Sequence, residues 1–320
     1  MNGILIVDKP AGLTSHDVVD RARRILQERS IGHLGTLDPM ATGVLPLVVG
    51  NLTRLAQFYI GAEKTYEGTV RFGFATNTYD ADGDPTTEAQ AIVLKGEEVE
   101  ALAAQFRGTI EQVPPPFSAK KIKGVPAYKM ARKQQEVVLP PVQVEIKSFE
   151  ILELSGDRAS FRARVASGTY MRSVAHEMGR RMGCGAHLES LRRTEVAEFA
   201  LVDAHTLDQL ADAARELFAA KHRRDEEGDA PAALTSFFVH PRQLLPDLPS
   251  VTADDTTVAR IRSGRSINLP DVSRAPKVKV FQGQRELVAI ATRIAGTLFH
   301  PKIVLCGTDA PVRPQAKASR

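Results

Sequence analysis

One loop of this sequence contains residue types that could position a carboxylate next to a polar ligand. It runs through Gly32–Arg54 and carries a single carboxylate, Asp38, ahead of a wholly apolar stretch, Val44–Val49. An aspartate before a proline is by itself an ordinary turn residue. Here glycine and threonine surround it, and glycine lets a backbone approach a ligand closely. A rigid strand behind the loop would hold the carboxylate in place, so we predict a functional site at Asp38.

Several kinds of chemistry are disfavoured by motifs that the sequence lacks. It has no GxxxxGK[ST] and no complete GxGxxG after a strand, so nucleotide hydrolysis and dinucleotide redox chemistry lack their phosphate-binding loop. It also has no HExxH and no GxSxG. His187-Leu188-Glu189 matches half of a zinc deaminase site, but no CxxC completes it. Eight scattered histidines and two distant cysteines do not suggest a metal site, and we expect neither a metal nor a cofactor.

The net charge of +4 and the isoelectric point near 9.1 are less informative than the positions of the cations. The segment 118–133 has six cations, no acidic residue and Tyr128 among them: Lys120, Lys121, Lys123, Lys129, Arg132 and Lys133. A second region, Arg158–Arg193, is rich in arginine. Neutralising phosphates releases counterions and drives binding to a polyanion. Two solvated charged faces explain the same composition equally well.

The length and composition suit a globular protein of two parts. The chain has 320 residues, 43% hydrophobic and 25% charged, and exceeds the usual size of one compact domain. No apolar run approaches the roughly 20 residues that span a bilayer, and residues 1–10 lack the features of a signal peptide. Cys184 and Cys306 give no disulfide framework. We therefore expect a cytoplasmic protein without a membrane segment, and a monomer because no long apolar stripe is left for a partner.

The apolar pattern predicts a mixed sheet with flanking helices. In the first half we expect a strand at Gly3–Val7, a helix that begins behind Ser15 as N-cap, a strand at Val44–Val49, a strand through Val70, Phe72 and Phe74, and a turn at Asp80–Asp84. In the second half we expect strands at Val144–Leu154 and Ala159–Val165, and a helix over Met171–Met182 that ends at Gly183. Many of these strands alternate apolar with polar residues. The predicted fold class is therefore α+β, or mixed α/β, with a mixed, largely antiparallel sheet.

A segment with two prolines, Leu245–Ser250, is the predicted domain boundary. We expect a dominant unit over 1–245, a smaller unit over 246–310 and a flexible tail at 311–320. Within the smaller unit the sequence predicts one capped helix between Thr252 and Gly264, and short strands at Val278–Phe281 and Leu287–Ala291. The charged stretch Lys221–Ala233 is predicted to be a surface excursion.

The residues around Asp38 resemble a known motif. The run Gly35-Thr36-Leu37-Asp38-Pro39-x-Ala41-Thr42-Gly43-Val44-Leu45-Pro46 is similar to the signature of the TruB family of tRNA pseudouridine-55 synthases. Other motifs of that family occur in the family's order: Asp8-Lys9-Pro10-x-Gly12-x-Thr14-Ser15, Lys64-x-Tyr66, Phe72-Gly73-x-x-Thr76-x-Thr78-x-Asp80, Gln112–Arg132, Gly168-Thr169-Tyr170-x-Arg172-Ser173 and Leu191-Arg192-Arg193. Together they span Ile4 to Thr194. From Leu248 onward, Gly264, Leu287–Ala291 and His300-Pro301-Lys302 resemble a PUA-type RNA-binding module.

The resemblance implies a pseudouridine synthase fold with a small C-terminal PUA-like β-rich domain, and an insertion at about 112–135 that grips RNA. It implies an isomerase that converts one uridine in the T arm of tRNA to pseudouridine. That reaction breaks the bond between ribose and uracil nitrogen, turns the base and rejoins it through carbon 5, without a cofactor. An aspartate could act as a nucleophile, stabilise an oxocarbenium-like ribose or take a sugar proton, and these three roles stay open.

The resemblance also assigns roles to single residues. Asp38 would be catalytic, and Arg172 would be its ion-pair partner, keeping the carboxylate ionised and aimed. The remaining substrate contacts would come from five residues: Tyr66 stacking on the uracil, Tyr170 beneath the base, Leu191 and Lys9 shaping the pocket, and His33 helping to displace the base from the T loop. Phosphate contacts would come from the insertion through Lys120, Lys121, Lys123, Tyr128 and Arg132.

Two other functions fit the same resemblance. One is a guide-RNA-dependent, dyskerin-type synthase that acts on ribosomal RNA, which activity on free tRNA without partners would exclude. The other is a non-catalytic factor that folds RNA in the same cleft. An Asp38→Asn variant that keeps RNA binding but loses isomerisation would separate chemistry from recognition.

Overall fold

The computed structural model describes residues 1–118, 120–122, 125–126, 130, 139–223, 232–270 and 274–305. The strands of the larger unit are β1 (Gly3–Lys9), β2 (Ile31–His33), β3 (Thr42–Val49), β4 (Lys64–Phe72), β5 (Gly108–Gln112), β6 (Lys121–Ile122), β7 (Val125–Pro126), β8 (Val142–Ser155), β9 (Arg158–Val165), β10 (Ala186–Val196) and β11 (Phe199–Ala200). Its helices are α1 (Ser15–Leu26), α2 (Ala56–Tyr59), α3 (Gly96–Ala104), α4 (Met171–Met182), α5 (Leu207–Arg223) and α6 (Ala232–Thr235). Phe74, predicted within a strand, lies beyond the end of β4.

Nine of these strands form one sheet in the described part of the chain. Its order is β1-β3-β10-β4-β9-β8-β5, with β2 beside β3 and β11 beside β10, while β6 and β7 pair only with each other. The pairing of β3 with β10 is parallel, and the neighbouring pairs β1–β3, β10–β4, β4–β9, β8–β9 and β5–β8 are antiparallel. The predicted mixed, largely antiparallel sheet is confirmed.

The apolar runs of β1 and β3 are buried on both faces of this sheet. Leu5 and Val7 of β1 pack with α1 and α5 on one face, whereas Ile4 and Ile6 pack into a cluster on the opposite face. Side chains alternate between the two faces of a strand, so both faces demand apolar residues. This two-sided burial explains why the segment behind Asp38 is continuously apolar and why it forms a rigid support.

One face of β4 and β9 is charged, but its charges are paired. Arg162 of β9 contacts Glu67 of β4 at 2.7 Å, and Arg164 contacts Glu63 at 2.7 Å. Elsewhere in the second basic region, arginines pair with nearby carboxylates: Arg158 with Glu189, Arg180 and Arg181 with Glu177, and Arg192 with Asp8. Most arginines of Arg158–Arg193 are therefore paired within the protein, which neutralises much of the positive charge of this region.

Helices α1 and α4, the two nearest the Asp38 loop, have well-defined terminal residues. Thr14, not Ser15, is the N-cap of α1: it accepts a hydrogen bond from the backbone of Asp17, whose carboxylate accepts one in return. The prediction of Ser15 as N-cap was wrong by one residue. Helix α4 begins after Tyr170 and ends at Gly183, whose φ of 74° is the left-handed conformation that glycine adopts without strain.

A five-stranded sheet forms the second unit. Its elements are β12 (Ser250–Ala253), α7 (Asp255–Arg262), β13 (Ile267–Asn268), β14 (Lys277–Gln282), β15 (Glu286–Ala295) and β16 (Leu298–Val304), with strand order β12-β14-β15-β16-β13. Thr252, predicted at the start of the helix, lies in β12, and Asp254 is the N-cap. Phe281 and Leu287 pack in one apolar cluster with Ile4 and Ile6 of β1, so the two sheets share part of their core.

The predicted tail at 311–320 and most of the charged stretch Lys221–Ala233 lie outside the described residues. Of the helices that the structure describes, none is long and apolar enough to cross a membrane.

Candidate active site

A cavity of about 250 Å³ opens beside Asp38, where the loop before β3 faces the N-terminus of α4. Its walls come from the loop of Asp38, from β4 and β10 in the middle of the sheet, and from the turn between β9 and α4. The lining residues that carry polar or aromatic groups are Thr36, Asp38, Lys64, Tyr66, Ser118, Ser167, Thr169, Tyr170, Arg172 and Arg193. With Ser118, five segments distant in sequence thus meet at one opening.

Arg172 holds the Asp38 carboxylate by two contacts. Its Nη2 donates a hydrogen bond to Oδ1 at 2.9 Å, and its Nε lies 2.9 Å from Oδ2. The Arg172 side chain is 5% exposed, whereas that of Asp38 is 33% exposed. The arginine is therefore part of the protein interior, and the carboxylate that it holds faces the opening. Two-point contact restrains both the position and the orientation of the carboxylate.

A second carboxylate, Asp80, completes this ion-pair network and was not among the predicted site residues. It is buried, and its Oδ2 lies 3.3 Å from Nη1 of Arg172. Its Oδ1 accepts hydrogen bonds from the Thr78 hydroxyl at 2.5 Å and from the backbone of Asp82 at 3.2 Å. Thr76-x-Thr78-x-Asp80 belongs to one of the family motifs and Asp80–Asp84 was predicted to be a turn, but neither pattern assigned Asp80 a role at the site.

The two remaining contacts of Arg172 are to backbone carbonyls. Nη1 donates to the Thr78 carbonyl at 3.2 Å, and Nη2 donates to the Phe117 carbonyl at 3.0 Å. One guanidinium therefore joins the loop of Asp38, the loop of Asp80 and the start of the predicted RNA-gripping insertion. A lysine, with its donors on a single nitrogen, could not make all of these contacts.

Burial raises the pKa of Asp38 above its ordinary value, because the partly desolvated carboxylate loses hydration. The positive charge of Arg172 opposes this effect, and the negative charge of Asp80 adds to it. A basic carboxylate with one side open to the cavity is suited to react with a bound ligand or to take a proton from it.

The loop that carries Asp38 is fixed from behind at three points. The buried Ser15 hydroxyl accepts a hydrogen bond from the Leu37 backbone at 2.8 Å and donates to its carbonyl at 3.2 Å. Lys9 donates to the Pro39 carbonyl at 3.2 Å. The fully buried Arg193 donates to the Gly35 carbonyl at 2.9 Å and to the Thr36 carbonyl at 3.3 Å. These bonds leave the carboxylate little freedom to move.

Gly43, at the start of β3, allows the loop and β10 to approach each other. Its φ is 99°, and a Cβ at this position would lie 2.2 Å from the Arg193 carbonyl oxygen. Any other residue would push β3 away from β10, the neighbour that supplies Arg193 and Leu191 to the cavity wall. The glycine of the TGV sequence after Asp38 is therefore required by close backbone approach.

Five of the predicted site residues meet in this cavity: Asp38, Tyr66, Tyr170, Arg172 and Leu191. Tyr66 and Leu191 project from adjacent strands and are each 8% exposed. Tyr170 stands at the N-terminus of α4, where Gln112 bonds both its backbone nitrogen at 2.8 Å and its carbonyl at 3.1 Å. Tyr66, Leu191 and Tyr170 give the cavity apolar and aromatic walls around the carboxylate.

Two predicted substrate contacts lie outside the cavity lining. Lys9 is fully buried behind the loop, where burial lowers its pKa to about 8. It supports the loop from within. His33 ends β2, and burial lowers its pKa below the ordinary value, so the imidazole is neutral near pH 7. Its predicted action on a displaced base stays a prediction.

The predicted RNA-binding insertion is described only in part. Lys120 is exposed, and the backbone of Lys121 belongs to β6, which pairs with β7 as a short hairpin. Lys123, Tyr128 and Arg132 lie outside the described residues. Ser118 lies in the cavity wall, so the insertion starts at the rim of the site.

Comparison with known sequences agrees with the motifs. Residues 23–171 match the TruB family pseudouridylate synthase N-terminal domain, and residues 172–239 match the tRNA pseudouridylate synthase B C-terminal domain. A protein of Solibacter usitatus named tRNA pseudouridine synthase B is 45% identical over 95% of this chain and 100% of its own length. A protein of the same name from Azoarcus sp. is 37% identical over 90% of each chain.

Comparison with solved structures supports the fold class. A chain of the archaeal box H/ACA sRNP Nop10-Cbf5 complex is similar, with a TM-score of 0.66 and 25% identity over 96% of this chain and 87% of that one. A chain of a Cbf5-Nop10-Gar1 complex is similar, with a TM-score of 0.64 and 26% identity over 92% of this chain and 79% of that one. From the two domain matches and the relatives that span nearly the whole chain, we conclude that this protein belongs to the TruB family of pseudouridylate synthases.

Proposed function

We propose that this enzyme isomerises one uridine of the T arm of tRNA, at position 55, to pseudouridine, with Asp38 as the catalytic group. The observation that carries this proposal is the partly exposed Asp38 carboxylate, held at two points by the buried Arg172 at the mouth of a small cavity. The name of the relatives, tRNA pseudouridine synthase B, supports tRNA as the substrate.

The size and lining of the cavity support a single flipped nucleotide as the ligand. Its volume of about 250 Å³ lies just below the roughly 300–1,000 Å³ of most small-molecule sites. The rings of Tyr66 and Tyr170 suit a flat base. Turning out a nucleotide costs a few kcal/mol, and stacking on an aromatic side chain offsets about 1–3 kcal/mol of this.

In the proposed reaction, Asp38 acts on the ribose while the bond between C1′ and uracil N1 breaks. Either the carboxylate forms a bond to the sugar, or it stabilises the cationic ribose, or it takes a sugar proton. The enclosing side chains Tyr66, Tyr170 and Leu191 keep the detached uracil in place while it turns. A bond then forms between C1′ and uracil C5, while any bond from Asp38 to the sugar breaks or any sugar proton that it took is returned. The proton on C5 goes to solvent and N1 takes up a proton, so the overall change is an isomerisation.

Binding of the rest of the tRNA is proposed to use the insertion and the second unit. Lys120 is exposed and Lys121 follows it in β6, and with Lys123, Tyr128 and Arg132 these residues would contact phosphates and bases of the arm. We propose that residues 246–310 form a PUA-like RNA-binding domain behind the catalytic unit of 1–245. His33 is proposed to fill the space that the displaced base leaves.

Tritium release tests this function directly. An unmodified tRNA transcript labelled with tritium at C5 of uridine is incubated with the protein alone, and a transcript with cytidine at position 55 is the matched control. We expect release of one label per tRNA from the first substrate and no release from the second. Equal release from both would exclude position 55 as the target.

The same experiment distinguishes the guide-dependent alternative, which the fold of the Cbf5 chains brings into consideration. A guide-dependent enzyme would leave the free transcript unmodified until a guide RNA and protein partners were added. Release from free tRNA in the absence of both would exclude that alternative. The non-catalytic folding factor would bind the transcript and release no label.

A further inference from the structure

The loop of Asp80 is held in an unusual backbone conformation beside α4. Tyr79 has a φ of 66°, in the left-handed region that residues other than glycine rarely adopt. Its neighbours on both sides contact Arg172: the Thr78 carbonyl at 3.2 Å and the Asp80 carboxylate at 3.3 Å. The two residues that flank Tyr79 therefore depend on one strained position for their approach to the arginine.

His176 of α4 faces this strained residue. Its ring stacks on that of Tyr79 with centroids 3.8 Å apart and an angle of 13° between the planes. His176 follows Arg172 by one helical turn, so both side chains lie on the same face of α4. Burial lowers the pKa of His176 below its ordinary value, and the ring therefore stacks as a neutral imidazole near pH 7.

The backbone around Tyr79 is tied to the sheet as well. The Tyr79 carbonyl accepts a hydrogen bond from the Leu188 backbone at 3.0 Å, and the Thr76 hydroxyl donates to the Asp80 carbonyl at 2.7 Å. These bonds hold the backbone of the segment, and the stack on His176 is the ring contact by which Tyr79 meets α4. A conformation that costs about 1–3 kcal/mol persists only where its surroundings hold it.

We propose that His176 and Tyr79 are positioning residues for catalysis: their stack holds the Asp80 loop in the conformation in which Asp80 and the Thr78 carbonyl restrain Arg172 on Asp38. Neither ring belongs to the wall of the Asp38 cavity, so both act through Arg172. The proposal rests on the proposed function of Asp38 and deepens it. Without the stack, the loop relaxes, Asp80 moves away from Arg172, and the guanidinium is less well oriented.

The stack therefore affects the proton affinity of Asp38 as well as the rate. Charged or titratable groups that act on Asp38 are Arg172 of α4, Asp80 of the loop and Lys9 of β1, while Tyr170 is the nearby phenol. Asp80 raises the pKa of Asp38, whereas Arg172 and Lys9 lower it. Moving Asp80 away lowers the pKa of Asp38, whereas a looser contact with Arg172 raises it, so the two consequences of losing the stack have opposite effects on the pH at which activity is lost.

Four variants test the proposal by single-turnover tritium release across pH. His176→Ala and Tyr79→Asn each remove one ring, and asparagine tolerates the left-handed backbone. His176→Phe and Tyr79→Phe retain a ring and are the matched controls. We expect kcat to fall about 10–100-fold in the first two, as a small misplacement of reacting groups does, with unchanged tRNA affinity. The two phenylalanine variants should stay near the wild-type rate and profile.

Two results would overturn the proposal. One is wild-type kcat in His176→Ala and Tyr79→Asn. The other is a fall in kcat that comes with an equal loss of tRNA affinity, or one that His176→Phe shares, since either would reflect general damage to α4. A wild-type protein that releases no tritium would instead refute the proposed function, so the two failures are distinguishable. Tyr79→Asn leaves the helix sequence intact and keeps the test open if His176→Ala does not fold.

Discussion

Replacing Arg172 by lysine should slow isomerisation while leaving the site's charge unchanged. The buried guanidinium contacts both oxygens of Asp38, and an ammonium can contact at most one of them in a comparable position. A hydrogen bond to a charged group contributes about 1.5–3 kcal/mol. If one such bond to Asp38 is lost in the transition state, kcat falls about 10–100-fold, since 1.36 kcal/mol corresponds to a factor of ten.

Single-turnover tritium release at saturating enzyme measures this effect on kcat, and a filter-binding titration measures tRNA affinity. Arg162→Lys is the matched control, because Arg162 makes a similar contact to Glu67 but is 51% exposed. Exposed ion pairs contribute only about 0–1 kcal/mol, so that variant should behave as wild type. Equal rates for the two variants, or a loss in Arg172→Lys that appears only as weaker tRNA binding, would refute the argument from orientation.

Three further predictions concern Asp80, Ser15 and the lysines of the insertion. Asp80→Asn removes a negative charge beside Asp38, so the pKa of Asp38 falls and the acid limb of kcat against pH moves to lower pH; an unmoved or raised limb would contradict this. Ser15→Ala removes the partner of the buried Leu37 backbone groups, and it should therefore lower the free energy of unfolding in urea by about 1–3 kcal/mol. The control Ser167→Ala, at an exposed serine, should change this free energy little. Equal stabilities of the two variants would count against the predicted role of Ser15. Replacing Lys120, Lys121 and Lys123 together by alanine should weaken tRNA binding and flatten its dependence on salt, and an unchanged salt slope would show that these lysines do not contact phosphate.

The contact between Asp38 and Arg172 was predictable because the family motif encodes it. The glycine-rich loop before an apolar strand indicated where a carboxylate would be fixed, and the resemblance paired it with an arginine at the start of a predicted helix. The structure confirms the contact and places Tyr66, Tyr170 and Leu191 around the same opening. Here local pattern and tertiary structure agree.

Asp80 shows what local pattern leaves out. A carboxylate among Asp, Asn, Gly and Thr residues is typical of a turn, and the segment is indeed a turn. Its contact with Arg172 depends on the packing of α4 against the sheet, which no local pattern reports. A residue in a turn can also form an ion pair, so the correct prediction of a turn gave no indication that Asp80 contacts Arg172.

The error at Ser15 has a different cause. Both Thr14 and Ser15 are suitable N-caps, but only Thr14 has an acidic residue three positions later, Asp17, as a capping box requires. The spacing between Thr14 and Asp17 therefore predicts Thr14 as the N-cap. This assignment also leaves the Ser15 hydroxyl free for its bonds to Leu37.

The second basic region shows the limit of charge counting. Its cations are close together in sequence, but the carboxylates that neutralise Arg162 and Arg164 lie elsewhere in the chain: Glu67 in β4, across a strand pairing, and Glu63 just before β4. Cross-strand pairs of opposite charge are a common feature of sheets. Composition along the chain therefore overstated the positive surface, and only the strand register corrected it.

The central claim, that Asp38 performs the isomerisation, is tested most directly by comparing wild type with Asp38→Asn in single-turnover tritium release from tRNA labelled at C5 of uridine. Asparagine keeps the size of the side chain and removes its negative charge. The account predicts one label released per tRNA by wild type, none by the variant, and equal affinity of both for tRNA. Release by Asp38→Asn at a rate close to that of wild type would contradict it.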